Sequence, residues 1–317
     1  MSRVIKKGHT IYLMTDEGLR FYYDESREPL GAGSMGTVYM GFNYNTQEKV
    51  AIKRVKDRYA NIPALRERAR VEASLMFKHQ NLVEMLGYCE MYPNQGPIFI
   101  ISKYVQGETI DKFVNLHLRN YKDWAKRICE AVYPIFDALA YIHSKGIVHM
   151  DIKPSNIMQE QGKNVRLMDL GIVQMTTTID MGGSSSLMGT PRYAAPEQFD
   201  HGTTLDARTD IYELGVTIYE LLTKKNPFDS NNLEVMKKRH KDATVVLPYY
   251  QGVPNSVIDV LRIATMPDPA KRYDDVYAFR QALQLAFVPK NMSWKWIVGG
   301  ILLLLIVGAM ILTFILI

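Results

Sequence analysis

Apolar and polar positions alternate along the start of the chain. Thr10, Ile11, Tyr12, Leu13 and Met14 precede an Asp16-Glu17-Gly18 break, and Leu19, Arg20, Phe21, Tyr22 and Tyr23 follow it. A period of two on both sides of an acidic-glycine break predicts a hairpin. Extended patterns continue at 37–42, 49–54, 85–89 and 98–104, interrupted by one helical stretch at 64–77. After Glu108 the period changes. Across 124–143, Ile128, Val132, Ile135, Phe136, Leu139 and Ile142 recur at helical spacing, which places them on one face. Short extended pieces surround Ile147 and 165–168, and helical patterns return at 211–222, 256–264 and 276–286. The pattern predicts an α+β protein, with a sheet-rich first part holding one helix and a mainly helical second part.

The far end follows a third pattern. Residues 297–317 carry no charge and no polar stripe. As a helix this run spans about 31 Å, against a bilayer hydrocarbon core of about 30 Å. Trp294 and Trp296 stand at its edge, with Lys290 and Lys295 beside them, as anchors at a membrane interface do. A C-terminal transmembrane helix over 297–317 is therefore expected, after a juxtamembrane linker over 288–296. Its lysine-bearing flank is expected to keep the rest of the chain cytoplasmic. The first ten residues have no apolar core, so no signal peptide is expected.

Composition changes this picture little. Of 317 residues 47 % are hydrophobic, enough for a sizeable core, and the net charge of +5 is mild. Without a Lys/Arg block, no nucleic-acid partner is expected. The two cysteines, Cys89 and Cys129, have neither metal nor redox spacing and suit a reducing compartment. The Thr176-Thr177-Thr178 to Ser184-Ser185-Ser186 stretch is small and polar, as surface loops are.

The chemistry concentrates in His149-Met150-Asp151-Ile152-Lys153-Pro154-Ser155-Asn156, followed by Asp169-Leu170-Gly171. Two carboxylates, a lysine and an amide at this spacing suit phosphoryl transfer. One acid deprotonates a hydroxyl, a cation meets the moving phosphoryl group, and the amide with the second acid holds magnesium. Upstream, Leu30-Gly31-Ala32-Gly33-Ser34-Met35-Gly36-Thr37-Val38 is a glycine-rich turn whose backbone N–H groups can approach phosphates closely. A strand pattern follows it rather than a helix, which argues against a dinucleotide-binding fold. Val50-Ala51-Ile52-Lys53 comes on that next strand and offers a lysine to phosphates.

Together these motifs, from about residue 23 to residue 285, resemble the eukaryotic-type serine/threonine protein kinases, in the compact form also found in bacteria. The resemblance implies a two-lobed kinase fold. The small lobe spans 23–102, the hinge lies near 103–107, and the large lobe spans 107–287; residues 1–22 form an extension. It further implies that Leu30, Gly31, Ala32, Gly33, Ser34, Met35, Gly36, Val38, Ala51, Lys53, Ser102 and Val105 surround ATP. Ser102 falls at the gatekeeper and Val105 at the adenine-facing backbone. Glu72 matches the glutamate that pairs with Lys53, with Glu67 as the fallback. Asp151 matches the catalytic base and Lys153 its γ-phosphate partner; Asn156 and Asp169 match the magnesium ligands. Thr190, in Gly189-Thr190-Pro191, belongs to a substrate-docking segment. Glu197 would form a structural ion pair with Arg272, and Asp210 would brace the catalytic loop.

Two departures from the family pattern are visible. Met150 stands where an arginine usually binds an activation-loop phosphate, so dependence on such a phosphate is not expected. Leu170 stands where phenylalanine is usual, an apolar swap. The implied activity is transfer of the γ-phosphoryl of ATP, with Mg2+, to Ser/Thr hydroxyls of proteins and of the kinase itself. The alternatives are a membrane-anchored pseudokinase, a nucleotide-switched scaffold and a kinase-fold enzyme acting on small molecules. The catalytic set Lys53, Asp151, Asn156 and Asp169 is intact, against the first. The Ala195-Pro196-Glu197 segment is intact, against the last. A transient homodimer through Gly299-Gly300 and Gly308-Ala309 rests on a weak pattern, since their spacing is not Gly-x-x-x-Gly.

Overall fold

Alternating apolar positions at the N-terminus build one large sheet. The computed structural model describes residues 3–33, 36–75, 77–92, 95–162, 164–169, 174–175, 191–200 and 203–288. Only backbone is described at 58–59, 64–65, 68, 72–73, 92, 95 and 174–175. Strands β1 (Arg3–Lys7), β2 (Thr10–Met14), β3 (Arg20–Asp24), β4 (Gly31–Ala32), β5 (Gly36–Asn43) and β6 (Lys49–Val55) come first. Helices α1 (Asp57–Ala60) and α2 (Pro63–Ser74) follow, then β7 (Met85–Tyr92) and β8 (Gln95–Lys103). The sheet runs β1-β2-β3-β5-β6-β8-β7, antiparallel throughout, with β4 on β5.

The predicted hairpin is present as β2 and β3, turned through Gly18 at φ 83°. It packs onto the sheet of the first part. β3 crosses the expected boundary at 22/23 and pairs with β5, and β1 adds a strand that the pattern did not predict. Ile11, Leu13, Phe21 and Tyr23 from the N-terminal strands pack on Val50, Ile52, Cys89, Phe99 and Ile101 as one buried cluster. Here Thr15 meets β7 at Gly87, whose φ is 150°; a Cβ on Gly87 would lie 2.6 Å from the Thr15 methyl.

Alternation gives β6 and β8 two different faces. Val50, Ile52, Phe99 and Ile101 enter the N-terminal cluster. Ala51, Lys53, Ile100 and Ser102 are on the other face, as the cross-strand pairs Ala51–Ser102 and Lys53–Ile100 require. Ile100 joins a second cluster that continues into the helical half.

That half holds β9 (Gly107–Thr109), α3 (Ile110–Phe113), α4 (Trp124–His143), β10 (Ile147–Val148), β11 (Ile157–Glu160), β12 (Val165–Leu167) and β13 (Gln174–Met175). Then come α5 (Ala207–Thr223), α6 (Leu233–Lys241), α7 (Asn255–Ala264) and α8 (Val276–Leu285). Helix α4 buries Ile128, Val132, Ile135, Phe136, Leu139 and Ile142, the stripe its period predicts. α5 is buried along nearly all its length. Its N-terminus is capped by Asp206, which accepts from Arg208 N. Helix α2 ends at Ser74, three residues short of the predicted end, and α6 was not predicted. α6 buries only Met236 and His240, too few for a visible stripe. Among the described residues no helix is long and apolar enough to cross a membrane. The predicted span 297–317 lies outside the described residues.

Candidate active site

The site forms where the two parts of the fold meet. On the sheet side, β4 and β5 make the glycine-rich hairpin: Leu30 N–H donates to Val38 O (2.8 Å) and Gly33 N–H to Gly36 O (2.9 Å). Gly36 is buried against β6, and a Cβ there would lie 2.6 Å from Arg54 O. Leu30, Gly31, Ala32 and Gly33 are exposed; Val38, Ala51 and Ser102 are half-buried. Val38 pairs with Lys53 across β5 and β6, and Ser102 lies beside Ala51. Strand pairing thus sets Val38, Ala51, Lys53 and Ser102 on one face. Val105 is buried just beyond β8, between the halves.

Across from this face lies the loop after β10. Lys153 Nζ is 2.9 and 2.7 Å from the two Asp151 carboxylate oxygens. Asn156 Nδ2 donates to Asp151 O (2.8 Å) and Asp151 Oδ2 (2.9 Å). Met168 N–H donates to Asn156 O (2.7 Å), which brings Asp169 beside Asn156. Lys53 Nζ bonds Asp169 Oδ2 at 3.1 Å and ties the two halves together. Burial alone would raise the Asp169 pKa, but Lys53 outweighs it and holds the carboxyl below the ordinary aspartate range. The Asp169 side chain is 42 % exposed, so water blunts the burial penalty.

His149 supports this loop without facing it. Asp151 N–H donates to His149 Nδ1 (3.3 Å), and His149 Nε2 contacts Met168 O (3.2 Å). Those partners assign the neutral tautomer with the proton on Nε2. Burial lowers its pKa, consistent with that form. Two non-glycine residues here have positive φ, Met150 at 61° and Asp169 at 38°. The strain is held by side chains around them. Asp210 accepts from His149 N–H (2.9 Å) and Met150 N–H (2.8 Å). His143 Nε2 meets the same carboxylate at 2.7 Å. Asp210 thus braces the loop, as expected.

Glu197 and Arg272 form the expected ion pair. Glu72 lies on α2, but its side chain is outside the described residues, as are Ser34, Met35, Leu170 and Thr190. The fallback Glu67 faces solvent and bonds Arg70 (3.4 Å), not Lys53. Sequence reasoning missed Glu213, whose Oε2 accepts from Ile152 N–H at 2.7 Å. The signal was present: Asp210 and Glu213 are two acids three residues apart in an otherwise apolar run. Burial pushes the Glu213 carboxyl well above the ordinary glutamate range, and Asp210 adds to that.

The donor set fits magnesium. Asn156 spends its amide nitrogen on Asp151, which leaves its oxygen, beside the Asp169 carboxylate, as a hard ligand. Among the described residues no cluster of three or more His, Cys, Asp or Glu would hold an ion by itself. Two oxygen donors suit an ion that completes its shell with phosphate and water.

Comparison with known proteins agrees with this geometry. The protein kinase domain family pattern matches residues 24–288. The chain is 30 % identical to serine/threonine-protein kinase PrkC of Bacillus subtilis over 84 % of its length and 41 % of that protein's. It is 28 % identical to serine/threonine-protein kinase PknL of Mycobacterium tuberculosis, covering 80 % of this chain and 63 % of that one. Pkn1 of Myxococcus xanthus, also a serine/threonine-protein kinase, is 31 % identical over 81 % of this chain and 37 % of its own. The chain thus spans less than two thirds of these relatives. A match over most of the chain, with the paired lysine and carboxylates in place, makes this chain a member of the protein kinase domain family.

Proposed function

We propose that the chain is a serine/threonine protein kinase that transfers the γ-phosphoryl group of ATP to protein hydroxyls, its own included. The observation that carries this reading is the Asp151–Lys153–Asn156 cluster facing the Lys53–Asp169 pair. The names of the relatives support it as well.

In this reading Asp151 accepts the proton of a Ser or Thr hydroxyl. The hydroxyl oxygen bonds to the γ-phosphorus as the bond from that phosphorus to the bridging oxygen breaks, and ADP leaves. Lys153 neutralises charge on the transferring group. Lys53 meets the α- and β-phosphates beside the glycine hairpin, and Asn156 and Asp169 would hold magnesium. Magnesium, when bound, neutralises phosphate charge and fixes phosphate orientation. Ala51, Val38 and Val105 supply apolar walls for the adenine, with Ser102 at its back.

The test is transfer of labelled phosphate from ATP with magnesium by the full chain, beside Asp151→Asn. A generic basic protein and the chain itself serve as acceptors. Label on Ser and Thr that vanishes in the variant supports the reading. ATP binding without transfer by the wild type would favour a nucleotide-switched scaffold.

Membrane tethering through 297–317 is part of the proposal, supported by the uncharged run and its tryptophan flank. Tethering would raise the local concentration of the kinase towards itself and towards membrane partners. A full chain that stays in alkali-washed membranes, beside a chain ending at 296 that does not, is the expected outcome. Equal release of both would refute it.

A further inference from the structure

Ile152, the residue after Asp151, is gripped on both backbone groups by α5. Its N–H donates to Glu213 Oε2 (2.7 Å) and its carbonyl accepts from Thr217 Oγ1 (3.1 Å). Asp210 holds His149 and Met150 from the same helix. Residues 210, 213 and 217 recur at helical spacing, so one face of α5 carries all three. The Asp151 backbone is therefore clamped on either side.

Glu213 holds the N–H on the C-terminal side of Asp151. It is 2 % exposed, and a carboxylate is costly to bury without partners. Gln198 reaches the same loop on the other side of Asp151. Gln198 Oε1 accepts from Ala195 N–H (2.5 Å), and its Nε2 reaches Met150 O (3.4 Å). Gln198 thus joins the loop that bears Asp151 to the segment 191–200, which continues the expected docking segment, and Glu213 holds that loop two residues further on.

We infer that Glu213 is a positioning residue for phosphoryl transfer: with Gln198 it holds the Asp151 loop in register with segment 191–200, so that a protein acceptor meets the base at the right distance. The inference rests on Asp151 acting as that base. Thr217 fixes the opposite, carbonyl side of Ile152.

The test uses the full chain with Glu213→Gln, Glu213→Ala and Gln198→Ala, beside wild type and Asp151→Asn. kcat, KM for a peptide acceptor, ATP affinity and Tm are measured for each. Glu213→Gln keeps an acceptor for Ile152 N–H and should stay within about 3-fold of wild-type kcat. Glu213→Ala should lose about 10–100-fold in kcat with ATP affinity within about 2-fold, since small misplacements at a reacting centre cost that much. Gln198→Ala should raise peptide KM or lower kcat, and adding it to Glu213→Ala should cost little more, as for residues acting as a unit.

Glu213→Ala with kcat within about 2-fold of wild type overturns the inference, as does parallel loss of ATP binding and kcat. If Glu213→Ala does not fold, Gln198→Ala decides: a folded variant with wild-type kcat and peptide KM overturns it. A wild type no more active than Asp151→Asn would sink the kinase reading first, before any Glu213 variant is compared.

Discussion

Arg272 donates two parallel hydrogen bonds to Glu197, at 2.7 and 2.8 Å, with both side chains buried. Every other part of the pair is satisfied too. Thr209 Oγ1 donates to Glu197 Oε1 (2.9 Å), and Arg272 also donates to the carbonyls of Met266, Arg208 and Pro267. Such a pair is weak evidence of net stabilisation, but removing one partner strands the other charge in the interior. Arg272→Ala and Glu197→Ala are each expected to destabilise the chain by about 3–5 kcal/mol. Urea unfolding of each, with unchanged m, checks this; a loss below about 1 kcal/mol would show that the charges are not stranded.

The Lys53–Asp169 contact should behave differently. Lys53 is 14 % exposed and Asp169 42 % exposed, so the pair is worth about 0–1 kcal/mol to stability. In the proposed reading its importance lies in chemistry. Lys53→Met is expected to keep Tm close to wild type while phosphate transfer falls by at least about 100-fold. Asp169→Asn is expected to shift the magnesium concentration needed for nucleotide binding upward. The check is a magnesium titration of fluorescent-nucleotide binding beside thermal melts. Unchanged magnesium dependence would take Asp169 out of the metal site.

Buried His240 gives a pH dependence on the acid side. Tyr212 OH lies 2.7 Å from its Nδ1, and Phe228 stacks on its ring with centroids 4.5 Å apart. Burial lowers its pKa from 6.5 to about 3. The folded pKa is depressed, so the unfolded chain binds the extra proton between these values. This stability is therefore present above pH 6.5 and lost as pH falls towards about 3. The slope is about 1.4 kcal/mol per pH unit within that window. His240→Asn retains a polar partner for Tyr212 and should flatten this part of a Tm-versus-pH curve. A variant with the wild-type slope would assign it to other groups, His149 first among them.

Local pattern made much of this legible. α4 runs over the predicted residues because its apolar stripe is long and strictly periodic. The loop carrying Asp151, Lys153 and Asn156 was readable because its side chains lie within six positions. Contacts between distant segments were not readable. Nothing in the sequence pairs Glu213 with Ile152, or Arg66 with Glu90, because each bond depends on packing between elements far apart in the chain. β1 was missed for another reason. Its Val4 is half-buried and the rest of Arg3–Lys7 is exposed, so it has no alternation to detect and is held by backbone pairing to β2.

The N-terminal strands should be indispensable to the sheet-rich half. Leu13 is 2 % exposed within the cluster that includes Phe21, Ile52 and Phe99. Leu13→Ala is expected to cost about 2–5 kcal/mol, the transfer term plus a cavity. Ile5, 49 % exposed on β1, is the control, and Ile5→Ala should change stability by no more than about 0.5 kcal/mol. Denaturant unfolding of both variants tests this. Equal, small effects would mean that residues 1–22 add little to the stability of that half.

Helix α2, which bears Glu72, is held to β7 by charge. Arg66 is buried and donates to Glu90 Oε2 (2.8 Å), Ala60 O (2.7 Å) and Gly96 O (2.8 Å). Arg70, one turn on, donates to Glu90 Oε1 at 2.6 Å. A single carboxylate thus takes both arginines, and two turns of α2 cannot shift along β7 without breaking one of them. Glu90→Ala removes the carboxylate that both arginines share and should lower stability by about 3–5 kcal/mol. Hydrogen exchange in 63–74 should rise before exchange in α4. The double variant Arg66→Met/Glu90→Met separates charge from packing. Apolar replacement of a whole buried pair is commonly neutral or stabilising, so Tm should recover towards wild type. Full recovery of phosphate transfer along with Tm would mean that packing alone sets α2. Recovery of Tm without transfer would mean that the ion pair fixes where α2 sits.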